Sequence, residues 1–143
     1  PENLMINLDK ESKDIVTTII GFNQGKVLLP FEKTKQKVMF NNYNSPEIAR
    51  GLLHDKKSDT WTIGVLTYYL LYKEFIVSEN DLKNPKINSI TKVDNCIKED
   101  YSQIHPHEIK IKNELIPFGL WKIIKAFVNF DEEKRPDLIL YHL

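Results

Sequence analysis

The sequence predicts a mainly α domain with a small β-ribbon, and three observations carry that prediction. Apolar residues fill a stretch from Trp61 to Tyr72 that is too long for a strand. A second stretch sets Ile116, Leu120, Ile123, Ile124 and Phe127 on one helical stripe. Near the start, two short β-type runs flank the polar turn Asp9-Lys10-Glu11-Ser12.

The elements follow in order. "NLMINLDKESKDIVTTII" reads as the two strands of the ribbon. The second strand runs into Gly21-Phe22-Asn23, a turn where α/β enzymes often carry a metal-binding carboxylate. Residues 23–44 have no period and read as a long, lysine-rich loop. "SPEIARGLL" predicts a short helix, with Ser45 as N-cap, Pro46 at the first helical position, Glu47 in the first turn and Gly51 as its stop.

"KSDTWTIGVLTYYLLYKEF" is the strongest helix, capped by Ser58 or Asp59. Its apolar residues occupy nearly every face, so it belongs in the middle of the fold and must be covered all round. Ser78-Glu79-Asn80-Asp81 resembles a capping box and predicts another short helix. Residues 84–112 are polar and irregular. "LIPFGLWKIIKAFVNF" predicts an amphipathic helix, with Trp121 and Phe127 in the core. A last helix is expected from Pro136-Asp137.

Bulk properties bound the function. The 143 residues carry no repeat, low-complexity tract or linker, so 1–143 reads as a single domain. Apolar residues at 41% and charged residues at 28% suit a soluble globular protein. Net charge is zero, which gives no reason to expect nucleic acid or an anionic membrane as partner. No apolar run is long enough to span a bilayer. Cys96 is the lone cysteine, which excludes an internal disulfide and suits a reducing, cytoplasmic compartment. Opening on Pro1-Glu2-Asn3 rather than methionine, the sequence is expected to be cut from a longer chain.

The order of the short motifs is more specific than any one of them. "PEN" opens the chain, Gly21-Phe22 follows a strand, and Ser45-Pro46-Glu47 opens a helix. "KSDTWTIG" starts the central helix and "KRP" stands near the end. In this order and spacing the chain resembles the C-terminal lobe of a eukaryotic protein kinase, with the N-terminal lobe absent. The resemblance runs from the end of the catalytic loop to the last helix, matching poorly over 78–112. It is of the serine/threonine type and similar to the calcium/calmodulin-dependent group.

The resemblance implies a set of roles, and several are vacant. Active family members use ATP and magnesium, and catalysis there is positioning and charge neutralisation. The family reads "HRDLKPEN" where this chain begins, so Asn3 remains while the catalytic Asp and the Lys lie upstream of Pro1. The "DFG" element falls on Gly21-Phe22-Asn23. Gly21 has no side-chain oxygen for magnesium, which requires hard oxygen ligands. In "GTxxYxAPE" the Thr that braces the catalytic Asp falls on Phe40 and the Gly on Met39. These departures resemble a pseudokinase.

The structural positions are intact by contrast. Asp59 resembles the Asp that ties the central helix to the catalytic-loop backbone, and Trp61 and Gly64 follow in the same motif. Glu47 and Arg135 resemble the pair that clamps the end of the activation segment to the last helices. In a chain whose arginines stand only at 50 and 135, a bidentate partner for a carboxylate explains that choice over Lys. Met5, Leu66 and Leu70 fall where the family stacks apolar residues under the adenine.

Other features have plainer readings. His105-Pro106-His107 lacks an acidic or cysteine partner at ligand spacing and reads as a solvated loop, so no metal is expected. "EKTKQK", with Thr34 as its phosphate acceptor, reads as a solvated loop rather than a basic docking patch. Asp131-Glu132-Glu133 reads as a solvated face.

The sequence therefore points to a catalytically silent kinase-like lobe, with no cofactor of its own, acting by protein–protein contacts as scaffold or regulator. The alternatives are a fragment of an active kinase with an atypical metal site and an unrelated helical interaction module. The central helix, deprived of the helices that precede the catalytic loop in the family, is expected to promote self-association.

Overall fold

A computed structural model of the chain describes residues 2–88, 108–111 and 114–138. Strands β1 (Leu4–Leu8) and β2 (Ile15–Ile19) form an antiparallel ribbon with Leu4 opposite Ile19 and Leu8 opposite Ile15. Asp9 closes its turn: the carboxylate accepts from Glu11 N at 2.8 Å and Ser12 N at 2.9 Å. A bridge from Ile20 N to Asn3 O carries the ladder to the base of the ribbon. Apart from Leu4, every residue of the ribbon is exposed, on both faces.

Helix α1 (Pro46–Ala49) begins where Ser45 and Pro46 place it, and Gly51 follows its end with φ 66°. Helix α2 (Lys57–Tyr72) starts two or three residues earlier than its sequence suggests. Ser58 and Asp59 lie inside its first turn, and the capping contact comes from Asp55, whose Oδ1 accepts from Lys57 N at 2.8 Å. Helix α3 (Glu79–Lys83) starts at Ser78, whose hydroxyl accepts from Asp81 N.

Strands β3 (Glu108–Ile111) and β4 (Glu114–Pro117) form a second ribbon, then helix α4 (Phe118–Phe127) begins. This corrects the reading of residues 115–130 as one helix. Ile116 pairs with Ile109 in the ribbon, and Pro117 stands at the boundary. A short apolar run such as Leu115-Ile116 satisfies a strand and a helix stripe alike. Cys96, His105-Pro106-His107 and the expected last helix beyond Leu138 lie outside the described residues, and Pro136 and Asp137 themselves are not helical.

The core forms where α2 crosses α4. Trp61, Val65 and Tyr68 of α2 meet Trp121, Ile124 and Val128, with Ile76, Val77 and Leu82 completing the cluster. Gly64 permits this approach. A Cβ built there stands 2.7 Å from Phe127 Cβ and 2.9 Å from Val128 Cγ1, so no larger residue fits without separating the helices. The expectation that α2 is covered all round does not hold. Its other side keeps Ile63 and Leu70 exposed, because no described element lies over them.

Candidate functional site

The junction between α1 and the C-terminal turn is built on a buried ion pair. Arg135 Nη1 donates to Glu47 Oε1 at 2.6 Å and Nη2 to Glu47 Oε2 at 2.7 Å, the two-pronged geometry expected from the sequence. Both side chains are buried, so the pair needs further partners to offset its desolvation. They are present. Arg135 Nε donates to Asn129 O at 2.7 Å and Nη1 to Lys57 O, while Ser58 Oγ donates to Glu47 Oε1 at 2.9 Å. Arg135 also lies over the Trp61 ring at 5.1 Å. Burial pushes Glu47 upward, and the hydrogen bonds and charge of Arg135 outweigh it, so its carboxyl titrates below the ordinary value.

The base of the β1–β2 ribbon brings together Asn3 and Gly21, two positions the resemblance assigns to metal chemistry. Gly21 has φ 79° and ψ 38°, a left-handed conformation that glycine adopts without strain. A Cβ at this position meets Asn3 Oδ1 at 2.6 Å and Cγ at 2.9 Å. The Asn3 amide therefore occupies the space into which a side chain at 21 would grow. Phe22, Asn23 and Gln24 continue as a 3-10 turn, with Phe22 exposed. Among the described residues no three acidic, histidine or cysteine side chains converge as a metal site requires.

Other assigned positions are placed as follows. Phe40 is half-buried against the core, with Lys83 Nζ at 4.5 Å from its ring centre, so an aromatic contact stands where the resemblance expects a hydroxyl. Met39 is exposed. Met5 and Leu70 are exposed and Leu66 half-buried, outside the buried core. The carboxylate of Asp59 keeps access to solvent, yet surrounding protein pushes its pKa up, partly opposed by His54. Asp59 borders a cleft of about 820 Å³ between residues 24–38 and the start of α2, with Leu28, Ile48 and His54 also on its walls.

The lysine-rich loop is anchored, which the reading as a solvated loop missed. Thr34 forms a two-bond bridge with His54: Thr34 N donates to His54 O at 2.8 Å and His54 N to Thr34 O at 3.0 Å. Lys33 Nζ reaches Glu132 Oε1 at 3.1 Å, with Glu133 and Asp55 nearby. Glu132 is thus largely covered, and desolvation raises its pKa despite Lys33. Asp131 caps the turn Glu132–Lys134, its Oδ1 accepting from Glu133 N. Of that acidic run Asp131 and Glu133 are exposed, and Glu132 alone is covered. Arg50 also has a role that sequence reasoning did not find. It donates to Leu82 O, Asn84 O and Ile87 O at 2.7–2.8 Å and lies over Phe130, clasping the end of α3. Its rarity as an arginine was the available signal.

Comparison with known proteins bears on this arrangement. A family model described as protein kinase domain matches residues 1–139. A probable myosin light chain kinase of Dictyostelium discoideum is 30% identical over 122 residues, 76% of this chain and 31% of that protein. A second such kinase from the same organism is 34% identical over 89 residues, 61% of this chain and 25% of its own length. Aurora kinase of Schizosaccharomyces pombe is 27% identical over 138 residues, 96% of this chain and 33% of the relative. The chain thus spans at most about a third of these relatives' length. Among the described residues no helix is long and apolar enough to cross a membrane. The match over residues 1–139 decides the family: the chain belongs to the protein kinase domain family.

Proposed function

We propose that residues 1–143 form the C-terminal lobe of a serine/threonine-kinase-type protein that has lost phosphotransfer and works through protein contacts, as scaffold or regulator. The observation that carries this reading is the pair Gly21 and Asn3. Magnesium between ATP phosphates demands charged, hard oxygen ligands in near-octahedral array. Gly21 supplies none, and the neutral Asn3 amide stands in the space where one would project. The residues present do not fit the metal, so no phosphoryl-transfer step runs through this site. Phe40 in place of a bracing hydroxyl points the same way.

The Glu47–Arg135 clamp supports the other half of the reading, that the scaffold is retained while its chemistry is not. Asp59 supports the lobe assignment. Among the described residues its carboxylate accepts no hydrogen bond, as expected if its backbone donors belong to a segment before Pro1. The open apolar side of α2 and the exposed ribbon supply surface for protein partners, the absent lobe or a second copy. A single cysteine suits a reducing compartment such as the cytoplasm.

The names of the relatives, all kinases, favour a second reading, in which the longer protein phosphorylates serine or threonine through an atypical metal arrangement. Phosphate incorporation separates the two. Full-length protein incubated with magnesium, labelled ATP and a generic serine/threonine substrate should transfer nothing above a no-enzyme control. Transfer that disappears on an Asn3→Ala change would establish the second reading.

A further inference from the structure

We propose that the turn Leu29–Glu32 is a docking element that presents Phe31 to an apolar pocket, rimmed by carboxylates, on a separate protein. This names a surface for the protein contacts proposed above and rests on that reading. Glu32 N donates to Leu29 O at 3.0 Å, closing a turn with Pro30 second and Phe31 third. Phe31 has φ 66°, a left-handed conformation that turns of this kind normally assign to glycine. A bulky residue held there is strained and persists only where its surroundings fix it. They do so here through Glu32, whose Oε2 accepts from Leu29 N at 2.9 Å and whose Oε1 accepts from Lys26 Nζ at 3.1 Å.

Packing within the chain does not compensate that strain. Phe31 is fully exposed (102%), and its neighbours Val27 and Leu29 are 92% and 72% exposed. A ring preset on a fixed turn gives up little freedom when it enters a pocket, which is the property of an interface anchor. Charge narrows the partner. From Lys33 to Met39 exposed and half-buried residues alternate, so Lys33, Lys35 and Lys37 face outward together. Lys33 is engaged by Glu132, while Lys35 and Lys37 have no ion pair among the described residues. An apolar tip beside two unpaired cations is complementary to an apolar pocket with an acidic rim. A membrane surface needs no such fixed turn, and the structure favours a protein.

The test uses the full-length protein with p-benzoylphenylalanine replacing Phe31, and a control carrying it at the exposed Lys10. Irradiation in cells should join position 31, and not position 10, to one protein, with the adduct in an apolar pocket bordered by Asp or Glu. With that protein purified, Phe31→Gly should weaken binding by about tenfold or more. The same change should leave Tm unchanged or raise it, since glycine accepts the backbone angle. Lys35→Glu with Lys37→Glu should slow association and flatten its salt dependence. The proposal is overturned by adducts confined to the protein's own chain, by labelling no greater than at Lys10, or by Phe31→Gly lowering Tm without changing binding. Phe31-dependent binding to phosphatidylserine vesicles in place of a protein also overturns it. Nucleotide binding is read separately, so none of these results bears on catalytic silence.

Discussion

The region around Trp61 and the region around Gly21 treat their polar groups in opposite ways. At Trp61 everything is closed: Glu47 and Arg135 meet in two short bonds, Ser58, Asn129 and Lys57 satisfy the rest, and Gly64 lets α4 settle on α2. At Gly21 the ribbon stands open on both faces, and the adjoining Phe22 is exposed. Both regions hold positions that the family pattern marks. Those that secure architecture keep side chains whose chemistry Lys or Ala cannot replace. At the two positions the resemblance assigns to metal chemistry, Gly21 offers no side-chain oxygen and Asn3 a neutral amide.

The largest effect should come from breaking the closed region. Arg135→Ala leaves Glu47 buried without its partner and should cost about 3–5 kcal/mol. Arg135→Lys should recover only part of that, because an ammonium cannot bind both oxygens at once. Melting within a degree or two of wild type would show that the pair is not the anchor described. Its pH dependence has a fixed sign. Glu47 titrates below its unfolded value, so its contribution is complete above the unfolded pKa and is lost as pH falls through the folded one. The Arg135→Ala penalty should therefore shrink in acid, measured as the difference in Tm between pH 7 and pH 3.

A smaller cost is expected at the helix crossing. Gly64→Ala places a methyl against Phe127 and Val128 and should cost about 1–3 kcal/mol, read from chemical denaturation. An unchanged midpoint would mean that α4 moves freely relative to α2.

The open region should respond weakly and differently. Gly21→Asp must hold φ 79°, which costs about 1–2 kcal/mol. The Asn3 amide is the end of an exposed side chain and can turn aside, so backbone strain dominates. Faster hydrogen exchange at Ile20 N, which bridges to Asn3 O, would report the loosened ribbon base. Protection equal to wild type would show that the left-handed angle is not required.

Asp59→Asn sharpens the contrast further. The Asp59 pKa is raised, so its contribution is present below the unfolded pKa and lost as pH rises through the folded one. In chain 1–143 the amide should raise Tm at pH 7 and not at pH 3. In a longer chain that supplies backbone donors to this carboxylate, the same change should lower Tm. Equal effects in both would remove the support Asp59 gives to the lobe assignment.

Local chemistry was the legible part of this fold. Pro46 and Gly51 bound α1, Ser78 starts α3, and the asymmetry between Arg and Lys marks Arg135 before any contact is known. Errors arose where two local readings coincide. Ile116 fits a helix stripe and a short apolar strand, and only pairing with Ile109 decides between them. Asp55, Ser58 and Asp59 are all capping residues by type, and the backbone bond to Lys57 selects the first. Contacts between distant segments, apart from the Glu47–Arg135 pair, left no trace. Nothing near Lys33 announces Glu132, and Glu132 was for that reason misread as solvated. At the candidate site, Gly21 was legible as a missing ligand, but the Asn3 amide beside it required the fold.

The central claim is that the site at Gly21 and Asn3 holds no magnesium–nucleotide complex, and a thermal shift on the full-length protein addresses it most directly. Saturating ATP with magnesium should move Tm no further than ATP with EDTA, for the wild type and for Gly21→Asp alike. Ligand at a hundred times its Kd stabilises by about 2.7 kcal/mol, enough to move Tm by several degrees. A magnesium-dependent rise of that size in the wild type, abolished by Asn3→Ala, would contradict the account.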